Sequence, residues 1–172
     1  MKKLLMLVVV LMTALSSYAQ EMYLGGGISL WRNSDADRTK FSISPDFGYN
    51  LNERWAIGGE LIFSHESGDE DYTSNAFALA PYARYSFYEN KIVRLFLDMG
   101  LGFSTSKVKH ADSKNGFEVG IKPGMAIKLN SHFSLITKVG FAGFRDDYFR
   151  GEDGFGVTLE GEDISIGIDY EF

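Results

Sequence analysis

His65-Glu66-Ser67 sets a base, an acid and a hydroxyl nucleophile side by side, the residue types that ester hydrolysis or acyl transfer uses. Catalysis needs the base within hydrogen-bond reach of the nucleophile and an orienting group behind it, and neighbours in sequence do not by themselves supply that geometry. The other histidines, His110 and His132, also fall in loops or turns. The run Asp69-Glu70-Asp71 and the pair Asp146-Asp147 offer oxygen ligands to a hard divalent cation, but neither has the spacing of a calcium-binding loop. These segments read as solvated loop polarity, so the expectation is no catalytic centre, no metal site and no cofactor.

A second set of charges is spread through regularly alternating segments: Asp46, Glu60, Asp98, Glu118 and Asp169 against Arg84, Arg94, Lys122 and Lys138. Lining a water-filled passage, they would form an ion or proton path. In a narrow interior they would have to pair with one another, because an unpaired buried charge is costly. The two signs nearly cancel, which favours a structural network. Tyr72, Tyr148 and Phe149 lie among loop charges and could anchor a partner or pack on a rim.

The elements that carry these residues are strands. From Phe41 to Leu51 the odd positions are Phe, Ile, Pro, Phe, Tyr and Leu, while the even ones are Ser, Ser, Asp, Gly and Asn, the period of two that gives a strand one apolar face. The same parity recurs over residues 76–88 and 117–129. Partner strands follow Met22, Leu24, Ile28 and Leu30; Ile57, Leu61 and Phe63; and the odd positions from Val93 to Phe103. A weaker seventh places Phe133, Leu135, Val139 and Phe141 outward but leaves Ile136 on the polar side. The last runs from Ile164 to Phe172.

Eight strands of this length suit tilted crossings of a bilayer. Residues 52–54, 89–91 and 130–132 are turn-like, whereas 32–40, 65–75, 105–115 and 144–162 are long and polar. In the last of these, Phe155, Val157 and Leu159 are apolar at odd positions and the terminal strand at even ones, so the parity changes near Gly161. All three prolines, Pro45, Pro81 and Pro123, sit on the outward parity of an even-numbered strand, a weak internal repeat.

At the amino terminus Lys2-Lys3 precedes an apolar run from Leu4 to Leu15, with Ser17 and Ala19 small enough for signal peptidase. This predicts a signal peptide over residues 1–19 and one domain over 20–172. Losing Lys2 and Lys3 takes the 17 basic residues to 15 against 23 acidic ones, a formal charge of −8, which argues against a nucleic-acid partner. The chain has no cysteine, hence neither disulfides nor a lipoprotein anchor.

Alternation alone also fits a soluble barrel, but the contents of the two faces differ from what a water-exposed surface needs. The less apolar face is dominated by Gly, Ala and Ser with isolated charges, as a small lumen requires. On the other face Phe63, Phe77, Phe103, Phe117 and Phe141 fall beside the long loops, and Tyr49, Trp55, Phe87, Phe133, Tyr170 and Phe172 beside the short turns or the terminus. Two aromatic bands around an aliphatic belt match the two headgroup levels of a membrane.

The signal sequence, the eight strands, Pro81-Tyr82-Ala83-Arg84-Tyr85 and the ending Ile168-Asp169-Tyr170-Glu171-Phe172 resemble the small outer-membrane β-barrels of the OmpA/OmpX type, often called porin-family proteins. The resemblance covers the whole mature chain and implies the barrel alone, with no peptidoglycan-binding domain. It implies an all-β, eight-stranded, antiparallel up-and-down transmembrane barrel in the Gram-negative outer membrane, with both termini periplasmic. It further implies that the barrel-assembly machinery reads Ile164, Ile166, Ile168, Tyr170 and Phe172. The expected protein is a monomer in contact with outer-membrane lipid and lipopolysaccharide, acting in envelope structure or surface interaction. A lipid-modifying enzyme of the same fold and a narrow pore are the alternatives.

Overall fold

The computed structural model describes residues 21–33, 37–68, 72–109, 111–159 and 164–172. The expected signal peptide, Asp69-Glu70-Asp71, His110 and Gly161 lie outside these residues. The strands are β1 (Met22–Asn33), β2 (Arg38–Asn50), β3 (Trp55–Gly68), β4 (Thr73–Glu89), β5 (Val93–Val108), β6 (Ser113–Lys128), β7 (Phe133–Lys138), β8 (Phe141–Asp146), β9 (Gly154–Thr158) and β10 (Ser165–Glu171). Each pairs antiparallel with its neighbours, and β1 pairs with β10 to close the sheet on itself. β7 and β8 are the two halves of one wall strand, both lying on β6; β9 and β10 are the halves of the next. The architecture is therefore a closed eight-stranded antiparallel barrel.

Alternation sets which face turns inward, and the burial is inverted relative to a water-soluble protein. Leu24, Phe47 and Ile168 are about half exposed, at 53%, 52% and 51%, whereas Asp46, Arg84 and Asp98 are 5% or less exposed. A belt of exposed apolar side chains around buried charge is stable only where the surroundings are apolar.

Three short turns share one local solution. Asn52 Oδ1 accepts hydrogen bonds from the backbone N–H groups of Arg54 and Trp55 at 2.9 and 3.0 Å. Asn90 does the same for Ile92 and Val93 at 2.8 and 2.7 Å, and Asn130 for His132 and Phe133, both at 2.8 Å. In each, the side-chain oxygen replaces a missing ladder acceptor.

The prolines mark where wall pairing is interrupted. β2 and β3 skip from Ile43↔Phe63 to Asp46↔Glu60, and β4 and β5 from Leu79↔Phe103 to Tyr82↔Gly100, with register unchanged across each gap. At Pro123 the register does shift: Gly124 pairs with Lys138, but Ile121 pairs with Ala142. One extra residue is thus accommodated at Val139-Gly140, where Gly140 adopts φ +70° and Val139 N–H donates to Pro123 C=O at 2.9 Å. A proline lacks the donor for the following strand, so it settles at such a break.

This bulge corrects the seventh strand. Before it, Ser134, Ile136 and Lys138 point inward; after it, Phe141 and Arg145 do, with Phe141 4% exposed. Phe141 is therefore an interior residue and not part of the outer aromatic band. Its expected place is taken by Phe144, whose ring lies 5.6 Å from that of Phe117. Elsewhere the bands pair laterally, with Phe63 and Phe77 at 5.1 Å near the long loops and Phe133 and Tyr170 at 5.0 Å near the short turns. In the last wall strand, Thr158 pairs with Phe141 and Ser165 with Lys138, so seven steps on one strand span three on the other.

Candidate functional site

The interior charges gather at three levels. At the centre, Arg84 on β4 and Asp98 on β5 stand directly opposite in the ladder. Arg84 Nε and Nη2 donate to the two carboxylate oxygens of Asp98 at 2.7 and 3.0 Å, the bidentate geometry that makes this pairing strong. The same guanidinium reaches Asp169 at 3.6 Å and Asp46 at 4.0 Å, and lies 4.1 Å over the Phe96 ring. Lys138 Nζ sits 3.3 Å from Asp98, 3.4 Å from Glu60 and 3.5 Å from Asp46. Tyr82 donates its hydroxyl hydrogen to Asp46 at 2.6 Å, and the hydroxyls of Tyr82 and Tyr23 are 2.7 Å apart.

Toward the long loops, Glu118 accepts from Lys122 and, at 3.1 Å, from Arg145. The Arg145 guanidinium lies 3.9 Å from the centre of the Phe141 ring. At the short-turn mouth, Arg94 bridges Glu89 and Glu171, each at 3.1 Å, and Lys128 joins Glu89. Eight of the nine charges expected in the lumen thus fall into two deep clusters, while Arg94 belongs to a separate, more exposed one.

Arg145, Tyr23, Tyr82 and Phe96 join the interior beside the expected charges. Arg145 falls in the segment 144–162 expected as a long loop, but that segment begins in strand and returns to it, with Arg145 buried on β8 and residues 154–158 forming β9. Tyr23, Tyr82 and Phe96 lie on the inward parity of their strands, and glycines opposite make the room: a Cβ on Gly48 would lie 2.2 Å from Tyr23, and one on Gly124 2.4 Å from Phe96. Phe96 packs with Ala126 and Ile136, which explains the apolar residue on the polar side of β7. Tyr148, expected as an exposed loop aromatic, is 5% exposed and packs on Ile62 and Ala78, with Phe149 beside it. Burial raises the Tyr148 hydroxyl above its ordinary pKa.

The residues flagged for catalysis are not assembled. His65 Nδ1 is 2.8 Å from Asn75 Oδ1, an amide partner, while Glu66 faces Arg38 at 3.9 Å. Asp147 is paired with Lys114 at 2.7 Å. Among the described residues no group of three or more His, Cys, Asp or Glu is placed to hold a metal ion.

Ile164, Ile166, Ile168 and Phe172 all point outward and are about half exposed, whereas Tyr170 is covered by His132, Phe133 and Phe172 at ring separations of 5.7, 5.0 and 5.0 Å. Phe172 N–H donates to Met22 C=O at 3.2 Å, tying the carboxyl terminus to the start of β1.

An antiparallel barrel with an apolar girdle and a charge-filled interior is the form of an outer-membrane protein. The model of the outer membrane protein beta-barrel domain matches residues 4–172, and the chain belongs to that family, which places it in the outer membrane of a Gram-negative envelope. Its fold is similar to that of Neisserial surface protein A, with 12% identity, a TM-score of 0.53, and 88% of this chain and 96% of that one covered. It is also similar to the outer membrane protein Ail of Yersinia pestis in a phospholipid bilayer nanodisc, with 16% identity, a TM-score of 0.51, and coverages of 89% and 99%. At these identities the likeness is one of fold. No curated protein matches the sequence.

Proposed function

We propose that this outer-membrane protein is a non-enzymatic, non-conducting monomeric barrel that serves envelope structure or surface interaction through the end opposite its asparagine turns, where β1–β2, β3–β4 and β5–β6 run on into the segments expected as long loops. The observation that supports this best is the filling of the interior. Asp46, Glu60, Arg84, Asp98, Lys138 and Asp169 reach inward from six strands and meet within ion-pair distance. The void between them and the Glu118 cluster is about 20 Å³, room for roughly one water. The partners that fit this reading are outer-membrane lipid and lipopolysaccharide, and the barrel-assembly machinery during biogenesis. Its orientation puts the short turns and both termini in the periplasm.

Reconstitution in planar bilayers tests the closed interior, and no stable conductance is expected. A sustained current whose ion selectivity changes in Lys138→Gln would replace this reading with a narrow pore. Mass spectrometry of lipid A and phospholipid from expressing cells tests the absence of enzyme activity. An acyl-chain mass difference that disappears in His65→Ala or Ser67→Ala would make the protein an enzyme.

A further inference from the structure

The barrel wall is not joined equally along its seam. β1 pairs with β10 from Tyr23↔Glu171 to Gly27↔Gly167 and no further, although β1 stays paired with β2 as far as Asn33. Continuing the register would set Ile28 against Ile166, Ser29 against Ser165 and Leu30 against Ile164. All six are described residues, and none of these pairs forms. At this place a cavity of about 360 Å³ opens through the wall.

The lining of that cavity changes character with depth. Its outer lip is Ile28, Leu30, Ile164 and Ile166, each between 46% and 72% exposed on the apolar side of the barrel. Its inner end holds Lys40 and Arg150. Both stand over the Phe149 ring, at 5.5 and 4.7 Å. Among the described residues neither has a carboxylate within ion-pair distance, and the buried Nε of Arg150 has no hydrogen-bond partner. Glu60, the one carboxylate of the lining, is held by Lys138 at 3.4 Å; Glu60 and the deeper Glu118 also attract Arg150, but from beyond ion-pair distance.

We infer that this seam is a lateral binding site for an anionic amphiphile, whose carboxylate or phosphate head is taken by Arg150 and Lys40 while its acyl chain passes out between β1 and β10. A soluble anion would satisfy the cations but not the isoleucine lip, and a cationic amphiphile would add a third positive charge beside Lys40 and Arg150; an anionic head supplies both the acceptor that the buried Arg150 Nε lacks and the opposite charge. The cavity lies near the small end of ligand pockets, about 300 to 1,000 Å³. It therefore suits a small head and the first methylenes, not a whole diacyl lipid.

The test uses the full-length barrel in octyl tetraoxyethylene micelles, titrated with palmitate, hexadecyl phosphate, hexadecyltrimethylammonium and inorganic phosphate, with native mass spectrometry as the readout. One-to-one binding of palmitate, hexadecyl phosphate or both is expected, at least tenfold tighter than the cationic amphiphile or the chainless anion; which of the two binds identifies the head. Lys40→Gln with Arg150→Gln should weaken binding at least tenfold, and Arg150→Lys alone should retain most of it, with folding checked by heat-modifiable mobility. On the unaltered protein, a mid-chain diazirine on the preferred amphiphile should label peptides containing Ile28 or Ile166. Absent binding, equal binding of the cationic amphiphile, affinity unchanged in the double variant, or labelling confined to other strands would each overturn the inference.

Discussion

Arg84 and Asp98 are ladder partners on adjacent strands, joined by two charge-assisted hydrogen bonds of 2.7 and 3.0 Å. Because the pair lies across a strand interface, it fixes register as well as charge. Replacing Arg84 by Met leaves Asp98 and Asp169 without their guanidinium partner. Breaking such a buried pair costs about 3 to 5 kcal/mol. Urea unfolding in a bilayer or micelle should show that loss, and Arg84→Met with Asp98→Leu should recover part of it. A single variant as stable as the parent would mean the network does not hold the barrel.

Leu97 points outward between Tyr85 and Pro123 on the neighbouring strands. Leu97→Arg should destabilise the barrel by about 2 to 4 kcal/mol if it lies near the midplane. Gly100 points inward, where a Cβ would meet Pro81 C=O at 2.6 Å, so Gly100→Ala should also lose stability, but through packing, and independently of bilayer thickness. Equal sensitivity of both variants to lipid chain length would contradict the assignment of faces.

The bulge at Val139-Gly140 makes a prediction that simple alternation does not. Cysteine at Phe144 should react with a lipid-phase label, while cysteines at Phe141 and Arg145 should not. Gly140→Val should destabilise by about 1 to 3 kcal/mol, since a β-branched residue is strained at φ +70°. Labelling at Phe141 and not at Phe144 would restore an unbroken strand.

Each asparagine of the short turns serves two backbone donors. Asn52→Ala, Asn90→Ala and Asn130→Ala should each lower stability by about 1 kcal/mol, with Asp in the same place retaining most of it. Unfolding midpoints of the three single variants and the triple variant would show whether the losses add, as separated sites should.

Phe172 carries the expected assembly signal and also bonds to Met22. Deleting it should reduce the heat-modifiable protein recovered in the outer membrane and leave a precursor that is degraded. Phe172→Tyr should restore assembly. Full recovery of the deleted chain would remove the signal from this residue.

The eight-stranded plan was legible because most wall strands keep one parity from end to end, as from Val93 to Phe103, where a side chain's face follows from counting by two. Counting fails where the backbone gains a residue. Ile136 on the polar side and Gly140 mark that place in the sequence, and Arg145 lies in the polar segment 144–162 that reads as loop. The identities of eight of the nine charges in the deep clusters were readable, since a charge within an apolar-alternating segment must turn inward. Their partners were not: which of Asp46, Asp98 and Asp169 meets Arg84 depends on how far neighbouring strands are staggered around the barrel. Counting by two also turns Tyr23, Tyr82 and Phe96 inward, but which glycines face them, Gly48 for Tyr23 and Gly124 for Phe96, depends on the same stagger.

The asparagine turns also bear on the order in which the wall is built. Each closes a hairpin from residues only a few positions apart, so β2–β3, β4–β5 and β6–β7 can form with little loss of chain entropy. Tyr23 and Glu171, by contrast, meet across nearly the whole chain, the kind of contact whose large loop must be closed before it yields any stabilisation. Chain entropy therefore favours the hairpins before the β1–β10 join. The join that costs the most chain entropy is also the shortest run of pairing on β1, which makes it the line along which the finished wall would part most readily.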